Sequence, residues 1–189
     1  AALTKNIEGV SMTEFGLLKS KGIIGFTDGI KTIQNTRLMT RIMNSAKDLG
    51  TLVMQHAEDY DLSQNGLINS GIIATKLGLS GIPSVAERII IERDLTLLEN
   101  FKCRYHISQI SAAKSVEIIK ERKNNVKFTT GVSINNLSLN ENDIGDFRTF
   151  LKLSPPLRTE EDRMALVQGL KDGTIDVIVS DHKPEDEEQ

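Results

Sequence analysis

Asp172-Gly173-Thr174-Ile175-Asp176-Val177-Ile178-Val179-Ser180-Asp181-His182 is the stretch whose reading decides the fold. Residues 175–179 form a short, β-branched, mostly apolar run, the composition of a buried parallel strand. It stops at Ser180-Asp181-His182, a polar triplet at the strand's carboxyl end. In (β/α)-barrel enzymes that end of the strands carries the chemistry. Two more runs of this build end alike. Ile23-Ile24-Gly25-Phe26-Thr27 leads into Asp28-Gly29, and Thr51-Leu52-Val53-Met54-Gln55 leads into His56-Ala57-Glu58-Asp59.

Helical patterns separate these runs. Ser11-Met12-Thr13-Glu14 offers a capping-box start for a helix to about residue 20, which Gly22 ends. Asn35 or Thr36 caps a second helix with Leu38, Ile42, Met43 and Ala46 on one face, stopped by Gly50. A polar loop then runs to about residue 80, long enough for a lid or a contact surface. Ile82-Pro83-Ser84 begins a third helix, carrying Ala86, Ile89, Ile90, Leu97 and Leu98. Residues 104–110 read as a strand, Ser111 as the cap of a helix to about residue 123, and 126–132 as a strand with Asn135-Asn136 beyond its end. Residues 138–159 read mostly as loop, and Thr159-Glu160-Glu161-Asp162 opens the last helix. The alternation predicts an α/β class with a parallel sheet of five complete strands, residues 1–5 being the tail of another.

With 39% hydrophobic and 26% charged residues the chain is globular rather than disordered. At 189 residues it can bury a core but falls short of the roughly 200 residues of a whole (β/α)8 barrel. The expectation is one incomplete domain over residues 1–189. A net charge of −3 gives no nucleic-acid footprint, and no run is long and apolar enough to span a membrane. One cysteine, Cys103, and no visible secretory signal predict a cytoplasmic protein.

Asp28, His56 and Asp181 each stand at a different strand's carboxyl end. Carboxylates and imidazoles gathered this way are what a hydrolytic divalent-metal site needs. Such a metal lowers the pKa of bound water to about 7, and a nearby carboxylate can carry the proton. Each residue also has a plainer account: Asp28-Gly29 as a turn, His56 as a hydrogen-bonded histidine above the core, Asp181 as a cap. Their common position carries the argument.

The segments Gly25-Phe26-Thr27-Asp28-Gly29, His56-Ala57-Glu58-Asp59, Leu77-Gly78-Leu79-Ser80-Gly81-Ile82-Pro83, Ser154-Pro155-Pro156-Leu157-Arg158 and 172–182 resemble dihydroorotase, of the amidohydrolase superfamily, in order and spacing. The resemblance covers nearly the whole chain. It implies a partial (β/α)8 TIM-type barrel of the metallo-dependent hydrolase kind, about the family's strands four to eight, with the end of strand three in front. It also implies the interconversion of carbamoyl-aspartate and dihydroorotate in pyrimidine synthesis. By resemblance Asp28 matches a bridging metal carboxylate, His56 a histidine ligand, and Asp181 a ligand that is also the catalytic acid/base. Zinc is implied where that site is retained, and no cofactor where it is lost.

The family pattern is broken at several places. Gln109 stands where a histidine ligand is expected. His106 lies three residues earlier, an odd offset that predicts the opposite face of the strand. The family's strand-one His-x-His pair is absent. The substrate-binding positions are altered too: Asn136 lies in Asn135-Asn136-Leu137 where His-His-Leu is usual, Ser154 replaces an asparagine, and Glu185 replaces a histidine. These departures resemble the non-catalytic dihydroorotase-like homologues that support assembly of aspartate transcarbamoylase. Partners implied are that enzyme or self-association. The other reading is an active dihydroorotase, with its small-molecule substrate, whose remaining strands lie outside this chain. An allantoinase-like cyclic-amide hydrolase fits the Pro-Pro-Leu-Arg segment less well.

Overall fold

The computed structural model describes residues 1–145 and 148–183. The chain begins extended beside the first strand of the sheet. Ala1 N donates to Gly25 O at 3.0 Å, and Thr27 N donates to Ala1 O at 2.8 Å. That pair of bonds is parallel-ladder geometry, as the expected strand tail requires. Helix α1 (Phe15–Ser20) follows without the expected capping box. The N-cap position is Glu14, so Ser11 lies too far before the helix to cap it, and Thr13 Oγ1 donates to Ala2 O at 2.7 Å.

Strand β1 (Gly25–Phe26) leads to α2 (Thr36–Leu49). Asn35 accepts from Leu38 N at 3.0 Å, a cap worth about 1 kcal/mol. One face of α2 buries Leu38, Met39, Ile42, Met43 and Ala46, and Gly50 ends it at φ +65°. Strand β2 (Leu52–Gln55) follows. The stretch expected as a polar loop carries structure of its own: α3 (Tyr60–Ser63), β3 (Ile68–Asn69), α4 (Ile72–Leu77) and β4 (Gly81–Ile82). β3 and β4 pair in parallel, and Ile68 and Ala74 pack with Ile144 and Leu157 in a second apolar cluster.

Helix α5 (Ser84–Phe101) buries Ala86 and Ile90 but leaves Ile89 at the surface. Then come β5 (Arg104–Ile107), α6 (Ala113–Arg122), β6 (Thr129–Ser133), α7 (Ile134–Ser138), α8 (Glu160–Lys171) and β7 (Val177–Val179). Ser111 does not cap α6: the N-cap position is Ala112, and the Ser111 hydroxyl donates to Glu87 and accepts from Arg158 Nε, while Asp162 Oδ1 accepts from Ala113 N at 2.8 Å. At α8 the capping box forms as expected, with Asp162 N donating to Thr159 Oγ1 at 3.2 Å.

Among the described residues, five parallel strands form one sheet in the order β1-β2-β5-β6-β7. Sheet order follows chain order. Right-handed crossovers that step one way place all helices on one face, and α1, α2, α5, α6 and α8 touch in succession. Val53, Tyr105 and Val132 point into the core beneath those helices, where Phe26 stacks on Phe15 at 3.8 Å between ring centroids. β1 and β7 do not pair with each other, so the sheet stays open as five strands dictate. The last strand is not the buried strand its composition predicts. Val177 and Ile178 are 40% and 48% exposed, because nothing among the described residues pairs with its outer edge. No described helix is long and apolar enough to cross a membrane.

Candidate functional site

The strand face turned away from the helices carries Met54, His106 and Val179 into a cavity of about 300 Å³ at the carboxyl ends. His56, Gln109 and Asp181 line the same cavity. Three of the residues singled out by sequence are therefore brought together. Asp181 sits just past β7 at φ +48°, a left-handed conformation that aspartate tolerates, with Oδ1 3.7 Å from Lys183 Nζ.

Asp28 is not with them. Alternation along β1 puts Phe26 and Asp28 on one side and Thr27 on the cavity side. The Asp28 carboxylate accepts Thr4 N at 3.0 Å and the Thr4 hydroxyl as well. It borders a separate cavity of about 220 Å³ beside Glu8, Lys31 and Glu58.

His106 was expected to face away, yet it lines the cavity with His56. The strand explains why. Ser108 N donates to Gln55 O at 2.9 Å, toward β2, whereas Ile110 N donates to Gly131 O at 3.1 Å, toward β6. In an unbroken parallel strand, residues two apart donate to the same neighbour. One residue is thus bulged out after Ile107, and the alternation resets so that Gln109 returns to the side of His106. His106 Nδ1 lies 2.8 Å from Thr129 Oγ1. Burial lowers the His106 pKa from its ordinary 6.5, and Asp176 opposes that only in part. Between the lowered folded value and 6.5 the unfolded chain holds the proton more tightly. The stability this group contributes is therefore full above 6.5 and falls as pH drops toward the folded value. Thermal midpoints measured from about pH 7.5 down to about pH 5.5 should fall, and His106→Asn should flatten that fall. Parallel curves for the two proteins would refute the assignment.

His56 is 2% exposed. Its Nε2 lies 3.2 Å from Ser154 Oγ and 3.9 Å from Glu58 Oε2, while Nδ1 has no partner among the described residues. Burial raises the Glu58 pKa, but His56, Ser63 and Arg158 outweigh it and hold the carboxyl below its ordinary value. Ser154 also borders a cavity of about 320 Å³ shared with Phe150, Lys152, Asp181 and Lys183. Asn136 is buried and donates Nδ2 to Pro156 O at 3.0 Å, bracing the Pro-Pro segment. Glu185 lies outside the described residues.

Among the described residues the donors do not make a zinc site, although His106 lines the same cavity as His56 and Asp181. His56 and Asp181 share a cavity, Asp28 is held by Thr4, and Gln109 offers a neutral amide, a weak zinc donor. Among the described residues no three histidine, cysteine or acidic side chains are placed to hold a metal ion.

Arg158 and Glu58 escaped sequence reasoning. Arg158 belongs to the Pro-Pro-Leu-Arg segment, but its role appears only in packing. It is 4% exposed and donates to Ser111 Oγ at 3.1 Å, Asn69 Oδ1 at 2.8 Å and Ile82 O. Ser111 in turn donates its N–H to both Glu87 carboxylate oxygens at 3.0 and 3.1 Å. The small β3–β4 sheet, α5 and the start of α6 thus meet on one guanidinium.

A family model described as dihydro-orotase-like matches residues 1–115. The dihydroorotase of Ehrlichia canis is 44% identical over 176 residues, covering 92% of this chain and 39% of that protein. That of Desulforapulum autotrophicum is 39% identical over 184 residues, covering 97% and 43%. The chain spans about two fifths of the length of these relatives. Among solved structures, L-hydantoinase (dihydropyrimidinase) from Arthrobacter aurescens superimposes with a TM-score of 0.76 over 89% of this chain and 40% of that one, at 22% identity. Dihydroorotase from Saccharomyces cerevisiae, in complex with 5-fluoroorotic acid, gives 0.63 over 84% and 45%, at 14% identity. At those identities the structures speak for the barrel-type fold alone, whereas the match over more than half the chain places it by sequence: the chain belongs to the dihydro-orotase-like family.

Proposed function

We propose that the 189-residue chain is a non-catalytic dihydroorotase-like unit of pyrimidine biosynthesis that acts through protein contacts. The observation that carries this reading is the divided ligand set: Asp28 bound to Thr4, and Gln109 where the family resemblance expects a histidine. A catalytic zinc normally takes three protein ligands. The proposed partner is aspartate transcarbamoylase, or a second copy of the chain. The edge of β7, unpaired among the described residues and with Val177 and Ile178 exposed, supports contact with another protein surface. Co-purification with aspartate transcarbamoylase, beside sedimentation of the chain alone, separates the two partners.

Calorimetric zinc titration and a spectrophotometric dihydroorotate ring-opening assay test the catalytic side. The chain as given should turn over no dihydroorotate. Gln109→His should tighten zinc binding at least about tenfold, since imidazole is a far better zinc donor than an amide, yet restore no turnover. Measurable turnover by the unaltered chain would overturn the reading. The second reading is an active dihydroorotase completed by segments outside this chain. It is favoured by His56 and Asp181 still facing one cavity, and by the chain's matching two fifths of its relatives.

A further inference from the structure

The strand end that carries His56 is braced from behind the sheet. Asp94 of α5 is fully buried, and its carboxylate gathers three donors. Arg93 Nε donates to Oδ1 at 2.8 Å, Tyr105 Oη to Oδ2 at 2.6 Å, and Gln55 Nε2 to Oδ2 at 3.3 Å. Gln55 directly precedes His56, and its Oε1 accepts from Ile33 N at 3.3 Å. Arg93 reaches the same loop, donating to Ile33 O at 2.8 Å and Gln34 O at 2.9 Å.

That loop grips the strand end from its other side. Thr32 Oγ1 donates to His56 O at 2.6 Å and accepts from Glu58 N at 3.0 Å, while Gln34 Nε2 donates to Glu58 O at 2.8 Å. The imidazole itself is met at one nitrogen: Nδ1 is without a partner among the described residues, while Nε2 meets Ser154 and lies 3.9 Å from Glu58 Oε2. An apolar residue at position 94 would leave the buried Tyr105 hydroxyl and Gln55 amide without their acceptor. A buried carboxylate is different: its donors cannot move without leaving a charge uncompensated. It therefore fixes Gln55 and Arg93, and through them the loop.

We propose that Asp94 is a positioning residue for His56, fixing the backbone at His56 and Glu58 through Gln55, Arg93 and the loop at 32–34. The inference concerns where the ring is held, and stands whether or not the cavity turns over a substrate.

The full chain has three histidines, so the ring nitrogens can be followed by NMR with labelled histidine. Asp94→Asn and Thr32→Val should each shift the His56 ring resonances and leave those of exposed His182 unmoved. Both should speed amide exchange at Ile33 and Glu58 about tenfold, the effect of losing one or two braces on local opening. Tyr105→Phe removes a donor to Asp94 that does not touch the loop, and should leave His56 where it is. The proposal fails if Asp94→Asn leaves His56 and both amides as in the unaltered chain, or if Tyr105→Phe moves them as far. Should Asp94→Asn not fold, Arg93→Lys keeps the charge beside Asp94 but cannot span both loop carbonyls. An unmoved His56 in that variant overturns the proposal equally.

Discussion

Arg158→Met should destabilise the chain by about 3–5 kcal/mol, the usual loss when one partner of a buried ionic network is removed. The guanidinium is 4% exposed and meets Ser111 Oγ, Asn69 Oδ1 and Ile82 O. Burial lowers its pKa, and the charges of Glu87, Asp162, Glu58 and Glu141 oppose that. Methionine fills much of the volume but takes the guanidinium donors from Ser111 Oγ and Asn69 Oδ1, leaves Ile82 O with Ser70 N alone, and leaves Glu87 without a nearby cation. Urea unfolding should show the midpoint falling with little change in slope, the mark of lost stability rather than an altered unfolded state. Glu87→Gln should cost less, because an amide oxygen still accepts from Ser111 and Ala112. Combining it with Arg158→Met should lose less than the sum of the two, as coupled neighbours do. A loss below about 1 kcal/mol for Arg158→Met would mean that water reaches the site and replaces the guanidinium.

Much of the architecture was legible because it rests on local patterns. The α2 stripe of Leu38, Ile42, Met43 and Ala46, the Asn35 cap and the Thr159–Asp162 box are decided within a few residues, and the structure keeps them. What was not legible depends on partners distant in sequence. Ser111 has the chemistry of a helix cap, but Glu87 and Arg158, both far along the chain, take its hydroxyl as donor and as acceptor. Asp28 has the position of a ligand, but Thr4 lies within reach of its carboxylate. β3 and β4 are two residues each, too short for any periodicity to show. The composition of residues 175–179 speaks for burial, yet burial of a strand depends on what flanks it, and among the described residues β7 is an edge. Arg158 is the same case in reverse: a short motif was visible, while the three segments it joins became neighbours only on folding.

Gly131→Ala should destabilise the chain by roughly 2–3 kcal/mol, and the sign is itself diagnostic. Gly131 pairs with Val177 inside β6, where replacing a glycine ordinarily adds about 0.5–1 kcal/mol by restricting the unfolded chain. Here a Cβ would stand 2.3 Å from Ser108 O and 3.4 Å from His106 Nε2. The first of these is backbone, at the bulge that brings Gln109 round to the side of His106, so it cannot yield as a flexible side chain would. Relief requires pushing Ser108 back, which strains its bond to Gln55 O or that of Ile110 N to Gly131 O. The stability loss should therefore come with a shift of the His106 ring resonances, since the imidazole lies against the same Cβ. Gly131→Val should enlarge both effects. A stabilising or neutral Gly131→Ala would mean that the Ser108 carbonyl moves freely. The bulge would then rest on the Ser108 N to Gln55 O and Ile110 N to Gly131 O bonds alone, with no contribution from the close approach of Gly131 to Ser108.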